Sequence, residues 1–419
     1  MKRVHVIGAG LAGLSAAVAL AQAGCKVRLY EAGPVAGGRC RSYYDRVLGC
    51  RVDNGNHLLL SGNRAAMGFL DIIGSRGSLI GPGVAAFPFM DVGSGERWVV
   101  RPNAGRLPWW IFSRARRVLG TSVGDYFLLL KLWRARGDVT VSDVVGDGVL
   151  FRRLLEPLAV AALNTPAGEG LAQVFAAVVW KTLGRGGAAC VPWFPAVGMN
   201  ETFIDPAVDW LRARGGEINF HHRVTALHVE GARVVGFDDV VVDDDAGVVL
   251  AVPAWAAGAL LPELNVPKEF QAIVNVHFKL DAARAAGFTG VIGGKAEWIF
   301  VKQGHVSVTI SAANRIVDEA AEDISAAVWA DVRRVLDLPN EIPVWRVVKE
   351  RRATFAATGA QERVRPGVLL GVENLALAGD WTATGLPGTI EGAVQSGRVA
   401  AEFLVCHGRG VAASMHSSQ

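Results

Sequence analysis

Four residues near the amino terminus have the types and spacing that bind a dinucleotide. Gly8, Gly10 and Gly13 form a G-x-G-x-x-G motif, and Glu31 follows about 20 residues further on. Such glycines permit a tight turn, let the backbone approach a pyrophosphate and let a helix pack closely on its strand, while the carboxylate accepts hydrogen bonds from ribose hydroxyls. The loop residues expected to contact the cofactor are Gly8, Gly10, Leu11, Ala12 and Gly13. The motif alone does not distinguish FAD from NAD.

The elements around this motif are the ones that the chemistry requires. Val4, Val6 and Ile7 predict a buried parallel strand before the glycines, and the apolar residues after them recur at the helical period. A second strand over residues 26–30 ends at Glu31. This strand, turn, helix and strand predict that the helix N-terminus faces a bound pyrophosphate.

A second glycine pair follows the acidic residue. Ala32 adjoins Glu31, and Gly37, Gly38 and Arg39 then offer another close backbone approach with a cation beside the pyrophosphate. We expect Ala32, Gly38 and Arg39 to contact the cofactor.

The C-terminal stretch LALAGDWTATGLPGTIEGAVQSG (375–397) has a similar organisation. An apolar strand leads to Gly379 and Asp380, and a loop rich in glycine and threonine then opens a helix near Thr389. Small residues such as Ala393 would let that helix lie close to a cofactor and to the sheet. The alternative is a strand and helix that only pack together.

Composition excludes several classes of protein. Half of the 419 residues are apolar and a fifth are charged, which excludes a disordered chain. The net charge of +4 is too small to argue for nucleic acid. The five cysteines are scattered without a metal-binding spacing, so we expect no metal site and a reducing cytosol. No apolar stretch predicts a signal peptide or a membrane span.

The segments EAGPVAGGRCRS and DNGNHLLLSGN resemble the flavin-containing amine oxidase and isoprenoid desaturase superfamily. LLEPLAVAALNTP, VGMNETFIDPAVDWLRARGG, WRVVKERRATF and AGDWTATGLPGTIEG are more specific and are similar to hydroxysqualene dehydroxylases. This resemblance covers nearly the whole chain.

The resemblance implies FAD as cofactor and reductive removal of an allylic hydroxyl from hydroxysqualene, giving squalene, in bacterial squalene and hopanoid biosynthesis. It also implies that Asp380 meets the ribityl phosphate part of FAD and that the last helix points its N-terminus at the flavin. The residues that it adds to the cofactor site are Gly55, Asn56, His57, Val224, Gly379, Asp380, Thr389, Ile390 and Ala393.

We therefore predict an α/β protein in which a Rossmann-like FAD-binding domain of the glutathione-reductase/amine-oxidase type interlocks with an α+β substrate-binding domain. The expected FAD-binding domain is discontinuous and comprises residues 1–80, 215–262 and 350–419. The substrate-binding domain comprises residues 81–214 and 263–349.

The reaction needs a proton donor, because a hydroxyl is a poor leaving group until it is protonated. The candidate catalytic residues are Asp53, His57 and Arg352. Glu201 is a further candidate, although holding a domain junction explains Glu201 or Arg352 equally well. Asp205 before a proline is better explained as a helix cap. A structural histidine is an equally good explanation of His57.

The stretch 96–137 interleaves arginines with tryptophans and leucines, a pattern typical of a membrane interface. An aromatic core beneath a solvated basic face explains it equally well. We expect a cytoplasmic protein, peripheral on the inner face of the cytoplasmic membrane if the first explanation holds. The expected partners are a hydrophobic C30 isoprenoid substrate and, as reductant, NAD(P)H or a separate reductase, with no nucleic acid.

Two alternatives remain open at the level of sequence. An isoprenoid desaturase or amine oxidase would use the same cofactor to oxidise its substrate. A prenyl-lipid carrier on the same fold would not be an enzyme, and it would not need the intact flavin motifs.

Overall fold

The computed structural model describes residues 2–280 and 284–416 of the chain, with side chains through residue 406. The strands of this described part are β1 (Arg3–Ile7), β2 (Lys26–Tyr30), β3 (Ser42–Asp45), β4 (Cys50–Asp53), β5 (Leu59–Leu60), β6 (Leu79–Ile80), β7 (Phe87–Asp91), β8 (Arg97–Val100), β9 (Pro192–Pro195), β10 (Glu217–Asn219), β11 (Leu227–Glu230), β12 (Arg233–Phe237), β13 (Val240–Val241), β14 (Ala246–Leu250), β15 (Phe270–Lys279), β16 (Gly287–Ile292), β17 (Trp298–Lys302), β18 (His305–Ile310), β19 (Trp345–Phe355) and β20 (Leu375–Leu377). The α-helices are α1 (Leu11–Gln22), α2 (Arg64–Ile73), α3 (Leu128–Arg134), α4 (Val141–Val145), α5 (Glu156–Leu163), α6 (Ala172–Lys181), α7 (Asp205–Arg212), α8 (Ala254–Leu260), α9 (Ala321–Leu336), α10 (Gly359–Arg363) and α11 (Ile390–His416).

A five-stranded sheet, in the order β10-β2-β1-β14-β20, carries the glycine motif. All of its neighbouring strands are parallel. The central strands β1 and β14 are buried because α1 and α11 cover one face of the sheet, while β12, the residues after β13 and α8 cover the other.

Helices α1 and α11 pack against each other without room for an extra carbon atom. A β-carbon on Gly397 would lie 2.1 Å from the carbonyl oxygen of Ala12. The hydroxyl of Ser15 also donates a hydrogen bond to the carbonyl oxygen of Val394. The C-terminal helix is therefore held directly against the helix that follows the glycine motif.

A seven-stranded mixed sheet, in the order β19-β15-β18-β17-β16-β7-β8, forms the second layer system. Side chains alternate between its two faces. Val274, Val276 and Phe278 of β15 pack under α9 in one core cluster, whereas Asn275 and His277 of the same strand are buried on the opposite face. The second face is thus polar although it is enclosed.

Short helices between residues 101 and 190 cover a separate aromatic core. Phe175, Phe194, Phe288, Trp298 and Phe300 all belong to this buried cluster. The cluster joins strands of the seven-stranded sheet to α3, α4, α5 and α6.

The chain crosses between the two sheets several times. The five-stranded sheet takes its strands from residues within the ranges predicted for the FAD-binding domain. Strand β19 runs through the predicted boundary at residue 350. Helix α7 lies in a range predicted for the substrate-binding domain, but it packs in the same hydrophobic core as α1 of the FAD-binding domain. The domain limits therefore stay a prediction.

Candidate active site

The carboxyl ends of β1, β2, β14 and β20 meet at one edge of the parallel sheet. Gly8 follows β1, Glu31 follows β2 and Asp380 follows β20. Leu11 and Ala12 open α1 at the same edge and are buried. This edge is the place where open parallel sheets bind their ligands.

The three glycines of the first motif have different reasons to be glycine. Gly8 has a φ of +105°, and a β-carbon on it would lie 2.5 Å from the carbonyl oxygen of Ala251. A β-carbon on Gly13 would lie 1.9 Å from the carbonyl oxygen of Gly8. A β-carbon on Gly10 would meet nothing within 4 Å. Contacts within the chain therefore explain why Gly8 and Gly13 are glycine. Gly10 has no such contact, so it leaves an open side of the loop that a pyrophosphate can approach. The loop therefore fits a dinucleotide.

The second glycine pair packs directly on this loop. Gly37 has a φ of +114°, and its amide donates to the carbonyl oxygen of Ala9 at 2.8 Å. A β-carbon on Gly38 would lie 3.5 Å from the α-carbon of Gly10. The two glycine segments therefore form one surface.

Glu31 fixes the far end of this surface. Its carboxylate accepts hydrogen bonds from the amides of Ala9 and Gly33 at 2.9 and 2.7 Å. Ala32 is exposed beside it. The half-buried Val224 follows β10, which pairs with β2, so it comes from the strand next to the one that ends at Glu31. These positions suit the adenosine end of a dinucleotide.

Arg39 and Asp380 are brought together from opposite ends of the chain. Arg39 Nη2 lies 2.5 Å from Asp380 Oδ1, and Nη1 donates to the carbonyl oxygen of Ala353 at 2.6 Å. The amide of Gly379 donates to the hydroxyl of Ser396. A cation and a carboxylate therefore stand side by side where the two glycine segments meet β20.

Arg365, which the sequence patterns did not single out, orders the loop after Asp380. Its buried guanidinium donates to the carbonyl oxygen of Asp380 at 3.1 Å, to that of Thr382 and to the hydroxyl of Thr384 at 3.1 Å. It also lies over the ring of Phe355, 4.6 Å from the centroid. No local motif marks this residue, because its partners are defined only by the folded loop.

The start of α11 is fixed by its own side chains. The hydroxyl of Thr389 accepts a hydrogen bond from the amide of Gly392 at 3.1 Å, which caps the helix. The carboxylate of Glu391 accepts from two amides in the first turn of α2 at 3.0 and 2.9 Å. Ile390 is buried and Ala393 is partly buried in the first turn. The positive end of this helix dipole is thus held in a defined direction.

Asp53 lies in a buried ion pair. Its Oδ2 is 2.5 Å from Nζ of Lys302, and the two side chains are only 2% and 3% exposed. Oδ1 accepts from the hydroxyl of Ser42 and from the amide of Met199. Burial alone raises the pKa of Asp53, but the charge and hydrogen bond of Lys302 outweigh it and hold the pKa below its usual value. Asp53 is therefore an ionised acceptor at neutral pH.

Residues 55–57 lie against the polar face of the seven-stranded sheet. A β-carbon on Gly55 would lie 3.4 Å from Nδ2 of Asn275, and Asn56 Nδ2 donates to the hydroxyl of Ser307 at 2.6 Å. Burial lowers the pKa of His57 to about 4. The imidazole is therefore neutral at pH 7.

The polar face supplies functional candidates that the sequence reasoning missed. Its buried polar side chains are Asn275, His277, Lys302, His305, Ser307 and Thr309. His277 Nδ1 lies 2.9 Å from the hydroxyl of Ser307, and the rings of His277 and His305 are 6.0 Å apart. Burial lowers the pKa of His277 to about 3 and that of His305 to about 4. Polar residues at alternate positions of β15 and β18 were the signal that could have found them.

The two further acidic candidates occupy different positions. Glu201 Oε1 pairs with Arg51 at 2.9 Å, while its buried Oε2 has no partner among the described residues. This Oε2 and Asp53 Oδ1 lie 2.8 and 3.1 Å from the place of a β-carbon on Gly198. Glu201 thus lies close to Asp53, whereas Asp205 opens α7.

Arg352 is placed apart from Asp53 and His57. Its guanidinium lies over the rings of Trp255 and Phe270, 5.0 and 5.9 Å from their centroids. It borders a cavity of about 390 Å³ whose described lining includes neither Asp53 nor His57. The charge of Asp53 acts on the pKa of His57, which places those two candidates near each other, whereas Arg352 is not among the charges that do so.

Residues 2–280 and 284–416 contain neither a candidate metal site nor a candidate membrane-spanning helix. No cluster of three or more histidine, cysteine or acidic side chains there is arranged to hold a metal ion. No helix there has both the length and the hydropathy to cross a bilayer.

The sequence is similar to curated enzymes over nearly its whole length. It is 46% identical over 415 residues to a hydroxysqualene dehydroxylase of Rhodopseudomonas palustris, covering 97% of this chain and 99% of the relative. It is 45% identical to that of Sinorhizobium fredii, covering 96% and 98%, and 43% identical to that of Zymomonas mobilis, covering 97% and 100%.

Solved structures share the fold at low sequence identity. An oxidoreductase from Methanosarcina mazei superposes with a TM-score of 0.71 at 16% identity, covering 96% of this chain and 100% of that one. Putrescine oxidase bound to putrescine gives 0.69 at 15% identity, covering 97% and 99%. The family model described as flavin containing amine oxidoreductase matches residues 11–282 and 300–404. The predicted fold class and family resemblance are confirmed. The chain belongs to the flavin-containing amine oxidoreductases and, within them, to the FAD-dependent hydroxysqualene dehydroxylases.

Proposed function

We propose that the protein removes the allylic hydroxyl of hydroxysqualene reductively and releases squalene and water. The observation that carries this proposal is the near-full-length identity to hydroxysqualene dehydroxylases. The carbon–oxygen bond breaks, the hydroxyl leaves with one proton as water, and a carbon–hydrogen bond forms at the same carbon. When bound in its reduced form, FAD would supply the hydride and thereby lose two electrons.

The chain's own residues hold the cofactor in this proposal. The two glycine segments and Glu31 bind the pyrophosphate and ribose, and Arg39 offsets the phosphate charge. Thr389 fixes the N-terminus of α11, so that its dipole stabilises negative charge on the cofactor.

For the hydrogen bond to the departing hydroxyl, the arrangement favours His57 over Asp53 as the donor. Asp53 is ionised and already bonded to Lys302, so it anchors the segment and accepts rather than donates. The neutral imidazole of His57 donates a hydrogen bond from its N–H to the departing hydroxyl, which orients and polarises it. Because this imidazole carries no acidic proton at pH 7, the proton that completes the water molecule comes from solvent. The partly buried segment 55–57 limits how much water reaches the carbon that loses the hydroxyl.

The aromatic core is the part of the protein whose side chains best match the hydrocarbon of the substrate. Phe194, Phe288, Phe300 and Trp298 pack edge to face or tilted, with ring centroids about 6 Å apart. A C30 hydrocarbon needs apolar walls, and aromatic faces also stabilise a nearby cation. We place the hydrocarbon between this cluster and the polar face of the sheet.

We further propose that NAD(P)H or a separate reductase supplies the electrons. We also propose that the protein works in the cytoplasm at the inner face of the cytoplasmic membrane. Anaerobic mixing of the oxidised flavoprotein with NADPH separates the two reductants, since bleaching without another protein supports direct reduction.

An anaerobic single turnover tests the reaction. The flavin is reduced chemically and mixed with hydroxysqualene while the flavin absorbance is followed and the products are extracted. Reoxidation with an equal amount of squalene is expected. Stable reduced flavin with no squalene, together with bleaching of oxidised flavin by an amine or an isoprenoid, would refute the proposal and favour an oxidase or desaturase.

A further inference from the structure

Large exposed apolar side chains are frequent in residues 107–133 and at Trp180, in elements that contact one another through the Trp110–Tyr126 and Trp133–Trp180 ring pairs. Trp109 and Leu107 are 65% exposed, Phe127 is 64% and Phe112 is 61%. The basic-aromatic surface, as we name it, consists of Leu107, Trp109, Phe112, Phe127, Leu130, Trp133 and Trp180 with the cations Arg101, Arg106, Arg114, Arg116, Arg117, Lys131, Arg134 and Arg136. Large exposed apolar patches of this kind mark interaction sites.

The fold holds this surface in place. Trp110 and Tyr126 are buried beneath it in an edge-to-face contact at 5.1 Å, and the Tyr126 hydroxyl accepts from the amide of Val118 at 3.0 Å. Trp133 of α3 stacks on Trp180 of α6 at 5.5 Å. The exposed rings are therefore displayed by buried neighbours and by two packed helices.

The charges on this surface have one sign. Residues 101–136 contain eight basic residues and a single acidic one, Asp125, whose carboxylate accepts from the amide and hydroxyl of Ser122. Within the described chain no ion pair involves any of the eight cations. Arg116, Arg117 and Arg136 donate to backbone carbonyls instead.

We propose that the basic-aromatic surface docks on an anionic lipid bilayer, with the exposed rings at the headgroup level and the guanidinium groups on lipid phosphates. The charge identifies the occupant. A second copy of this chain in a two-fold contact would place the same uncompensated cations against each other, which costs energy. An anionic bilayer can bury the exposed rings at the headgroup level and pair the cations with lipid phosphates at the same time.

This inference rests on the proposed function in one respect, the need to collect a hydrocarbon substrate. The buried residues below the surface, Trp110, Tyr126 and Leu132, belong to the same core cluster as Phe194 and Phe288. Docking would thus put the bilayer next to the aromatic core beside which we place the hydrocarbon of the substrate.

Vesicle sedimentation of the holoenzyme tests the docking. Vesicles of phosphatidylcholine alone are compared with vesicles containing about 30 mol% phosphatidylglycerol, at low salt and at about 0.5 M NaCl. The wild type is expected to sediment with the anionic vesicles, to release at high salt and to bind phosphatidylcholine weakly.

Two sets of variants separate the contributions of rings and charges. A triple variant should bind anionic vesicles at least about tenfold more weakly than the wild type, because it loses three exposed rings: Trp109→Ala, Phe112→Ala and Phe127→Ala. Arg114→Gln with Arg134→Gln should reduce it about fivefold for each cation removed. The matched controls, exposed sites elsewhere, are Val241→Ser and Arg46→Gln, and both should bind as the wild type does.

Turnover of hydroxysqualene in detergent micelles distinguishes the two proposals. Variants that turn over in micelles but have lost vesicle binding support the docking surface. A wild type that turns over in micelles but binds neither vesicle overturns the docking and leaves the reaction standing. Vesicle binding without turnover in either medium supports the docking and counts against the reaction. Light scattering that shows a dimer abolished by the ring variants would assign the surface to a second copy and overturn the docking.

Discussion

Lowering the pH from about 7 to about 5 should weaken the fold through His277. This side chain is 0% exposed, its Nδ1 lies 2.9 Å from the Ser307 hydroxyl, and its Nε2 has no partner among the described residues. Burial is the main reason that its pKa falls to about 3, and the nearby His305 and Lys302 add to the effect. Between pH 6.5 and pH 3, His277 therefore stays neutral in the folded protein, whereas it is protonated in the unfolded chain.

The direction and the size follow from that difference. Since the unfolded chain binds the proton with a pKa of about 6.5, stability is complete above that value and declines as the pH falls towards 3. One pKa unit corresponds to about 1.4 kcal/mol, so at pH 5 the unfolded state gains about 2 kcal/mol from this one histidine. His305, buried with a pKa of about 4, should contribute a similar loss.

Chemical denaturation of the holoenzyme at pH 7 and pH 5, with FAD in excess, measures the effect. His277→Asn keeps a polar atom near the position of Nδ1 but removes the titrating ring, so its pH-dependent loss should be smaller than that of the wild type by about 2 kcal/mol. His221→Asn is the matched control, because His221 is exposed and its φ of +56° suits asparagine. An unchanged pH dependence in His277→Asn would refute the assignment of this loss to His277.

Three further predictions concern the cofactor site and its support. Gly10→Val should lower FAD affinity but leave the melting temperature of the FAD-free protein unchanged. Gly13→Ala places a β-carbon 1.9 Å from a backbone oxygen, so it should lower that melting temperature, by the equivalent of about 1–3 kcal/mol. Asp53→Asn should cost about 3–5 kcal/mol in denaturation because it leaves the Lys302 charge buried without a counter-charge, and a near-zero change would contradict the ion pair. Arg365→Lys keeps the charge but loses the planar fork of donors, so it should cost about 3 kcal/mol and weaken FAD binding in a titration; unchanged binding would mean that the loop orders itself.

The cofactor motifs could be recognised from sequence because each is short and local. Gly8, Gly10, Gly13 and Glu31 lie within one strand–helix–strand unit, and their spacing reflects the geometry of that unit. The C-terminal stretch was recognisable because its strand and helix adjoin the Asp380 loop. The assignment of individual residues to FAD contacts stays a prediction that the arrangement of the loops supports.

The polar face of the seven-stranded sheet could not be predicted in the same way. His277 and Ser307 are thirty residues apart, and their contact depends on the register in which β15 pairs with β18. Lys302 meets Asp53 across 249 residues of sequence. Arg365 depends in the same manner on a loop whose carbonyl directions exist only in the folded chain.

The division of labour between loops and strand faces bears on how one fold can both oxidise amines and reduce an alcohol. Loops at the sheet edge carry the dinucleotide-binding motifs, and these motifs do not specify the substrate. In the proposed function, the groups that face the substrate lie on alternate residues of β15, where Asn275 and His277 are buried on one face and Val274 and Val276 on the other. Because the side-chain period is two, substitutions on the polar side leave the packing under α9 untouched. The substrate can therefore change while the cofactor cradle and the core stay fixed, which is why the direction of the reaction has to be argued from this face and from close relatives.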